Sequence, residues 1–317
     1  MQATSSNPLR QRLGGLVQGM KRERGRWRSL RHPQVYMGYV FLLPAFIGLL
    51  VFTFIPFFAS IYFSFTEYNV LSRPEWTGLA NYKRLLSSQA FWIALRNVTL
   101  YTIGTLVPKM ILGLIFAIML NRAMKGVAIF RAAFYAPVVT SMVAVSIVWL
   151  WLYHPQSGPF NQILTALGLP RQMWLLDKNL ALPSLMLLGV WKWAGLSMVI
   201  YLAGLQGIPE VYYEAASIDG ANRWRQFRHI TLPLLAPATF YLFVTTAISS
   251  FQVFEQMYIM TEGGPGFATT SVVFEIYVEA FQRFKMGYAS AMAVVLFILI
   301  LILTLISFRV GNREIEY

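Results

Sequence analysis

The segment EAASIDGANRWRQFRHITLPLLAP, residues Glu214–Pro237, decides the interpretation of the whole chain because it is a mixed polar stretch between two long apolar runs. Gly220 follows a short helical pattern, where a helix ends best with a residue that tolerates positive φ. Phe227, Ile230 and Leu234 then recur at helical spacing, which predicts a second short helix. The prolines expected to start or interrupt these helices are Pro209, Pro233 and Pro237. The segment therefore predicts a helix, a turn and a helix on a membrane surface.

This segment resembles the EAA loop of the permease subunits of binding-protein-dependent ABC importers. The family pattern is E-A-A, two residues, D-G-A, and then F, I, L-P and a later P. The residues that match it in register are Glu214, Ala215, Ala216, Asp219, Gly220, Ala221, Phe227, Ile230, Leu232, Pro233 and Pro237. The alternative is an ordinary amphipathic cytoplasmic loop.

The composition independently indicates a membrane protein. Of the 317 residues, 57% are hydrophobic and only 12% are charged, whereas a soluble domain carries about 25% charged residues. The net charge of +13 is compatible with nucleic-acid binding, but long apolar runs favour a basic cytoplasmic side of a membrane protein. There is no cysteine and the three histidines are scattered, so we expect no disulfide and no metal site.

The apolar runs predict an all-α polytopic membrane protein, because a bilayer core of about 30 Å needs about 20 helical residues. Six spans are expected, at about residues 39–65, 92–120, 132–153, 182–207, 235–260 and 287–308. Pro44 and Pro56 should kink or bound the first span, and Pro108 with Lys109 should interrupt the second. Lys109 should face protein or water. A structural partner is favoured over a substrate contact.

Residues 1–36 are expected to form a basic cytoplasmic tail, residues 37–309 the transmembrane permease domain with the coupling loop at 208–237, and residues 310–317 a cytoplasmic tail. Six spans place both termini on one side. That side holds sixteen of the lysines and arginines and the other side eight, which predicts cytoplasmic termini in the cytoplasmic membrane of a prokaryote. Without the leading tail the counts are equal, so the orientation also depends on the loop motif.

The sequence offers no catalytic machinery. It contains no GxxxxGK[ST] motif, no HExxH motif and no cluster of carboxylates, so we expect a transporter subunit that is not an enzyme and has no cofactor of its own. The resemblance implies that ATP and magnesium bind two partner ATP-binding cassette subunits. It also implies a second homologous permease subunit, an extracytoplasmic solute-binding protein and no nucleic acid. The ATPase-docking residues that it implies are Glu214, Ala215, Ala216, Asp219, Gly220 and Ala221. Alternatively, Glu214 and Asp219 pair only with Arg223 or Arg225.

Two shorter motifs are similar to the carbohydrate-uptake branch of these permeases, of the maltose and glycerol-3-phosphate type. They are Thr261-x-Gly263-Gly264-Pro265, and Trp76, Gly78, Asn81 and Tyr82 after the first span. Sugar binding uses aromatic faces and groups that hydrogen-bond hydroxyls, and polar groups within a membrane are functional candidates. The substrate-binding candidates are therefore Trp191, Trp193, Ser250, Phe251, Gln252 and Glu255. Import of glycerophosphate, an amino acid or another small solute stays open. So does an ion-coupled secondary carrier, although no internal repeats are evident.

Overall fold

A computed structural model describes residues 33–122 and 125–311 of the chain. The basic segment 1–32 and the residues 312–317 of the predicted C-terminal tail lie outside these ranges. The chain divides into two units, residues 1–59 and 60–317, which are described separately.

The described part of the first unit is helical. Helix α1 (Pro33–Leu49) leads through a π-helical turn (Leu50–Phe54) into α2 (Ile55–Ser64), whose last residues belong to the second unit. The π-helical turn ends just before Pro56, whose missing N–H interrupts the usual hydrogen-bond ladder. Pro44 lies inside α1 without ending it.

The second unit is almost entirely helical over its described residues, and its two strands pair antiparallel. Its elements in chain order are β1 (Thr66–Glu67), β2 (Glu75–Trp76), α3 (Ala80–Leu86), α4 (Gln89–Leu120), α5 (Val127–Val139), α6 (Met142–Leu152), α7 (Pro159–Ala166), α8 (Ala181–Gln206), α9 (Val211–Ile218), α10 (Arg223–Gln226), a π-helical turn (Phe227–Thr231), α11 (Leu232–Leu234), α12 (Ala236–Phe251), α13 (Glu255–Thr261), α14 (Val272–Tyr277), a second π-helical turn (Val278–Gln282) and α15 (Met286–Gly311). The all-α class predicted from the sequence is confirmed.

Four helices in the described residues are long and apolar enough to cross a membrane. They are Met37–Ser64, α4, α8 and Met286–Arg309. The number rises to six if each of two bent pairs is one span: α5 with α6, bent by 97°, and Arg223–Leu234 with α12, bent by 59°. Six spans therefore require two spans that are not straight.

The third predicted span is broken between α5 and α6. Thr140 adopts an extended backbone between the two helices, so the carbonyls at the end of α5 lack helical donors. The buried Lys192 of α8 supplies them: its Nζ donates to the Pro137 carbonyl at 2.7 Å and to the Thr140 carbonyl at 2.8 Å. A cation at the C-terminal end of a helix is also favoured by the helix dipole. Lys192 thus stabilises the break.

Two further predictions about spans were wrong in detail. Helix α4 continues through Pro108 and Lys109 without interruption, since a long helix packed on its neighbours tolerates one missing hydrogen bond. The fifth predicted span, 235–260, ends at Phe251 and resumes as α13 after the non-helical residues 252–254.

Glycines allow α8 to approach both α4 and α5 closely. A Cβ atom on Gly113 of α4 would overlap the Ser197 side chain of α8, and one on Gly195 of α8 would overlap the Phe134 carbonyl of α5. Small residues at such crossings let membrane helices pack backbone to backbone. The two glycines thus permit close packing of α8 against α4 on one side and α5 on another.

The loop between the first two candidate spans is held by an amide side chain. Asn81 Nδ2 donates to the carbonyls of Ser64 at 3.0 Å and Thr66 at 2.9 Å, and the Trp76 ring stacks on Phe65 with centroids 5.5 Å apart. These motif residues therefore have a structural role in this chain.

The Gly-Gly-Pro turn is similarly tied down. The Gly264 carbonyl accepts from Thr269 Oγ1 at 2.7 Å, the Gly263 carbonyl accepts from Thr270 Oγ1 at 3.0 Å, and Asn97 Nδ2 donates to the Thr270 carbonyl at 3.1 Å. The turn thereby fixes the connection between α13 and α14 against α4.

The loop between α6 and α8 is organised around Asn161, which is 1% exposed. Its Nδ2 donates to the carbonyls of Pro155 and Gln172, both at 2.9 Å, while its Oδ1 accepts from the Gln172 amide at 3.0 Å and from Trp174 Nε1 at 3.1 Å. One buried side chain therefore joins the beginning of the loop, at Pro155, to its middle, at Gln172 and Trp174.

Two buried carboxyls lie on α14 and the π-helical turn that follows it. Glu279 Oε1 accepts from Arg283 Nη1 at 2.5 Å, and its Oε2 lies 3.9 Å from Lys285 Nζ. Glu275 makes no salt bridge with any described residue. Burial raises the pKa of the Glu275 carboxyl above its usual value, Arg283 opposes this rise, and the negative charge of Glu279 adds to it.

Candidate functional site

The first candidate site is the predicted helix-turn-helix, and its architecture is confirmed. Helix α9 ends at Ile218, and Gly220 follows two residues later with φ of +76°. The Ala221 amide reaches back to the Ala216 carbonyl at 2.8 Å, which is a Schellman-type ending that needs a left-handed residue. Asn222 then caps α10 by accepting from the Arg225 amide at 2.9 Å. Local residue chemistry thus dictates this turn.

The inner side of the loop is fixed to the membrane helices. The hydroxyls of Tyr213 and Thr231 share a hydrogen bond of 2.9 Å, and Gln226 Nε2 donates to Ser217 Oγ at 2.8 Å. Tyr213, Ile230 and Leu234 also pack against the apolar core formed by α4, α8 and α12. Leu235, 1% exposed, lies at the elbow between α11 and α12. The two short helices therefore form one braced element.

The outer side of the loop carries exposed charged and apolar side chains, of which Trp224 contacts the Phe227 ring with centroids 5.6 Å apart. Among the docking candidates, Glu214, Ala215, Asp219 and Gly220 are exposed, whereas Ala216 and Ala221 are half-buried. No described residue forms a salt bridge with Glu214 or Asp219, so the alternative of pairing with Arg223 or Arg225 is not seen in this structure. Two apolar side chains beside them are also open, Ile218 at 88% and Trp224 at 65% exposure. Charged and apolar groups together suit a docking surface.

The second candidate site is a cavity of about 500 Å³ between α4, α8, α12 and the broken segment that follows α12. Tyr101 and Lys109 flank the middle of α4, and Trp193 and Ser197 lie at the middle of α8. The cavity is therefore at mid-depth of these two candidate spans. Discontinuous helices around a mid-membrane cavity are typical of solute-binding sites in transporters.

The cavity wall carries both hydrogen-bonding groups and an aromatic face. Gln256 Nε2 donates to the Tyr101 hydroxyl, which orders one side of the wall. Gln252 and Glu255 are exposed, and their side chains form no hydrogen bond with a described residue. Their amide and carboxylate are available to a ligand, and the Trp193 ring lies in the same wall. This combination can bind a polyhydroxylated solute.

Four of the six substrate-binding candidates meet in this cavity: Trp193, Ser250, Gln252 and Glu255. Trp191 lies outside it and packs against Trp149, with ring centroids 5.5 Å apart. Phe251 lines a separate, largely apolar cavity of about 320 Å³ between α4, α12 and α15. Neither of these two residues lines the polar cavity.

Sequence reasoning missed Tyr101 as a cavity residue and favoured a structural partner for Lys109. Lys109 is 4% exposed and lines the cavity, yet it forms no hydrogen bond or ion pair with any described residue. The charge of Lys109 inside a long apolar helix predicts that it faces protein or water, and its buried position in the cavity wall confirms this. Within the described ranges, no group of three or more His, Cys, Asp or Glu residues could hold a metal ion.

A chain with several apolar spans, a braced surface helix-turn-helix and a polar cavity between broken helices is in the class of membrane transport subunits. Residues 109–316 match the family "Binding-protein-dependent transport system inner membrane component", and the chain belongs to this family. It is thus an inner-membrane permease component of an ABC transporter and not an enzyme.

The chain matches its relatives and one solved structure over nearly its full length. The chain is 39% identical to the "Probable ABC transporter permease protein YesP" of Bacillus subtilis, over 92% of this chain and 94% of that protein. It is 33% identical to the arabinooligosaccharide transport system permease AraP of Bacillus subtilis, over 90% and 92%. The fold is similar to a chain of a bacterial ABC transporter involved in the import of the acidic polysaccharide alginate, with a TM-score of 0.80 and 24% identity over 92% of this chain and 99% of that chain.

Proposed function

We propose that this permease passes a carbohydrate across the cytoplasmic membrane by alternating access, driven by ATP hydrolysis on a separate subunit. The observation that carries the proposal is the helix-turn-helix at α9–α11, which is braced from within and open on its outer side. Family membership supports the importer architecture. The arabinooligosaccharide permease among the relatives and the cavity with Trp193 and Gln252 support a sugar.

Docking would place α9 in a groove of the ATPase. Helix-in-groove docking is a recurrent recognition mode that uses apolar anchors and flanking charges. Ile218 would be the apolar anchor, Glu214 and Asp219 the charged contacts, and Ala215 the point of closest approach. The remaining docking residues, Ala216, Gly220 and Ala221, shape the turn.

The proposed assembly contains this chain, a second homologous permease, two ATPase subunits and an extracytoplasmic solute-binding protein. Both termini and the loop would face the cytoplasm, as the distribution of Lys and Arg predicts. ATP and magnesium would bind the ATPase subunits. Closure of those subunits would move the helix-turn-helix and, through Leu235, the helix α12 that lines the cavity.

Charge reversal at Glu214 tests the coupling role. In the complete importer reconstituted in vesicles, we expect Glu214→Lys to leave membrane insertion intact and to abolish sugar uptake that depends on ATP hydrolysis. Ile218→Asp should have the same effect, because it removes an exposed apolar contact without disturbing the core. The matched control is Glu67→Lys, which reverses an exposed charge outside the helix-turn-helix. The importer with this variant should take up sugar normally. Normal uptake by Glu214→Lys and Ile218→Asp would refute the docking role.

The nature of the solute needs a separate experiment. Mass spectrometry of ligands that co-purify with the intact complex and its binding protein should identify a saccharide. An amino acid or a glycerophosphate would replace the carbohydrate assignment and leave the coupling mechanism standing. Uptake without any ATPase subunit would instead indicate an ion-coupled carrier.

A further inference from the structure

Two lysines are buried inside the membrane-spanning helices, and only one has a protein partner among the described residues. Lys192 is 1% exposed and its ammonium group meets two carbonyls, at Pro137 and Thr140. Lys109 is 4% exposed and meets no acceptor in the described part of the chain. A buried ammonium group needs acceptors or counter-charges, which Lys192 obtains from protein carbonyls and Lys109 must obtain from whatever occupies the cavity.

Lys109 lines the polar cavity, so a ligand in that cavity can supply the missing partner. Glu255, the other charged residue in the described wall of the cavity, is exposed and forms no ion pair with Lys109. A sugar hydroxyl would provide a hydrogen-bond acceptor but would leave the buried positive charge without a counter-charge. A carboxylate provides both.

We propose that Lys109 binds a carboxylate of the transported solute and that the importer selects acidic sugars, namely saccharides that contain a hexuronate. The uronate carboxylate contacts the Lys109 ammonium group, while Trp193, Gln252 and Ser250 contact the ring and its hydroxyls. The cavity volume of about 500 Å³ lies in the range of small-molecule sites. This inference rests on the proposed function, because it names the substrate class of the same transport site.

The test uses the complete importer in nanodiscs without the solute-binding protein, so that the membrane site alone sets the preference. Equilibrium binding is measured for two matched pairs of probes: cellobiouronate against cellobiose, and digalacturonate against its dimethyl ester. Each pair differs only in the charged group. We expect the wild type to bind each acid at least about tenfold more tightly, which is the usual strength of one charge-assisted hydrogen bond.

Variants of Lys109 assign the preference to this residue. Lys109→Met should bind acid and neutral probe equally, whereas Lys109→Arg should keep a preference for the acid. Ser249→Ala is the matched control, since it removes an uncharged cavity hydroxyl and should weaken both members of a pair to the same extent. The preference of the wild type is measured without any variant, so it decides the matter even if Lys109→Met fails to assemble.

Several results would overturn the inference. The inference fails if the wild type binds the acid and the neutral probe equally, or binds neither. It also fails if Lys109→Met keeps the preference for the acid. Lower thermal stability of the Lys109→Met complex with an unchanged acid preference would show that a carboxylate of the second permease is the partner. If ATP-driven uptake of neutral sugars persists, only this inference fails; if no sugar is taken up, the proposed function fails as well.

Discussion

Replacing Lys192 with methionine tests whether one buried side chain holds the bend between α5 and α6. Methionine has a similar length and flexibility, so Lys192→Met leaves little empty volume. It removes the ammonium donor from both carbonyls, but the Pro137 carbonyl still accepts from Thr140 Oγ1 at 2.6 Å, so only the Thr140 carbonyl loses its side-chain donor. Loss of a hydrogen bond from a charged donor should lower the free energy of unfolding by about 1–3 kcal/mol.

The measurement is reversible unfolding of the purified subunit in mixed detergent micelles, followed by tryptophan fluorescence. Lys192→Arg should lose less stability, because its guanidinium group still donates hydrogen bonds. The matched control is Leu187→Met on the same helix, a residue that is 50% exposed and should change stability by no more than about 0.5 kcal/mol. A Lys192→Met variant as stable as Leu187→Met would refute the reasoning, and the bend would then need another cause.

Three further predictions concern the loops and the helix crossings. Asn161→Ala should cost about 3 kcal/mol through the loss of a buried network and make residues 154–180 sensitive to limited proteolysis, whereas unchanged protease resistance would exclude an anchoring role. Burial raises the pKa of Glu275 in the folded state, so its contribution to stability is present below the ordinary value of 4.5 and is lost as the pH rises through the raised value. The thermal stability of Glu275→Gln should therefore fall less with rising pH than that of the wild type, and identical pH profiles would contradict this. Gly195→Val should prevent folding because its Cβ overlaps the Phe134 carbonyl, while Gly48→Val, which meets no atom within 4 Å, should fold as the wild type does in a detergent stability assay.

The helix-turn-helix could be predicted from the sequence because its determinants are local. A glycine after α9, a capping asparagine before α10 and prolines in the first turns of α11 and α12 act within a few residues of their own positions. The six apolar segments are equally plain, since length and hydropathy alone identify a stretch able to cross a membrane. The fold class therefore follows from the amino-acid sequence itself.

The breaks in the helices could not be predicted because they depend on residues that are distant in sequence. The bend after Val139 is held by Lys192, more than 50 residues further along the chain. The interruption at residues 252–254 contains no proline or glycine and so has no local signal. Conversely, Pro108 looked like a helix breaker, and the packing of α4 against α8 overrides it.

The lining of the cavity was predicted only in part, because some of its residues come together from distant parts of the sequence. Ser250, Gln252 and Glu255 were identified because polar residues at the end of an apolar run are conspicuous in sequence. Tyr101 and Lys109 join them only through the packing of α4 beside α12, which no periodicity reports. The docking and substrate roles of all these residues stay predictions for the experiments above.

The elbow at Leu235 lies at one end of α12, so a small rotation there becomes a larger displacement at the other end of the helix. From Leu235 to Ser250 there are about fifteen residues, and at about 1.5 Å of rise each they form a lever arm of about 22 Å. If the arm is rigid, a rotation of about 10° at the elbow displaces its far end by about 4 Å, which exceeds the length of a hydrogen bond. A small push on the surface helices is therefore enough to make or break every polar contact at the tip of α12.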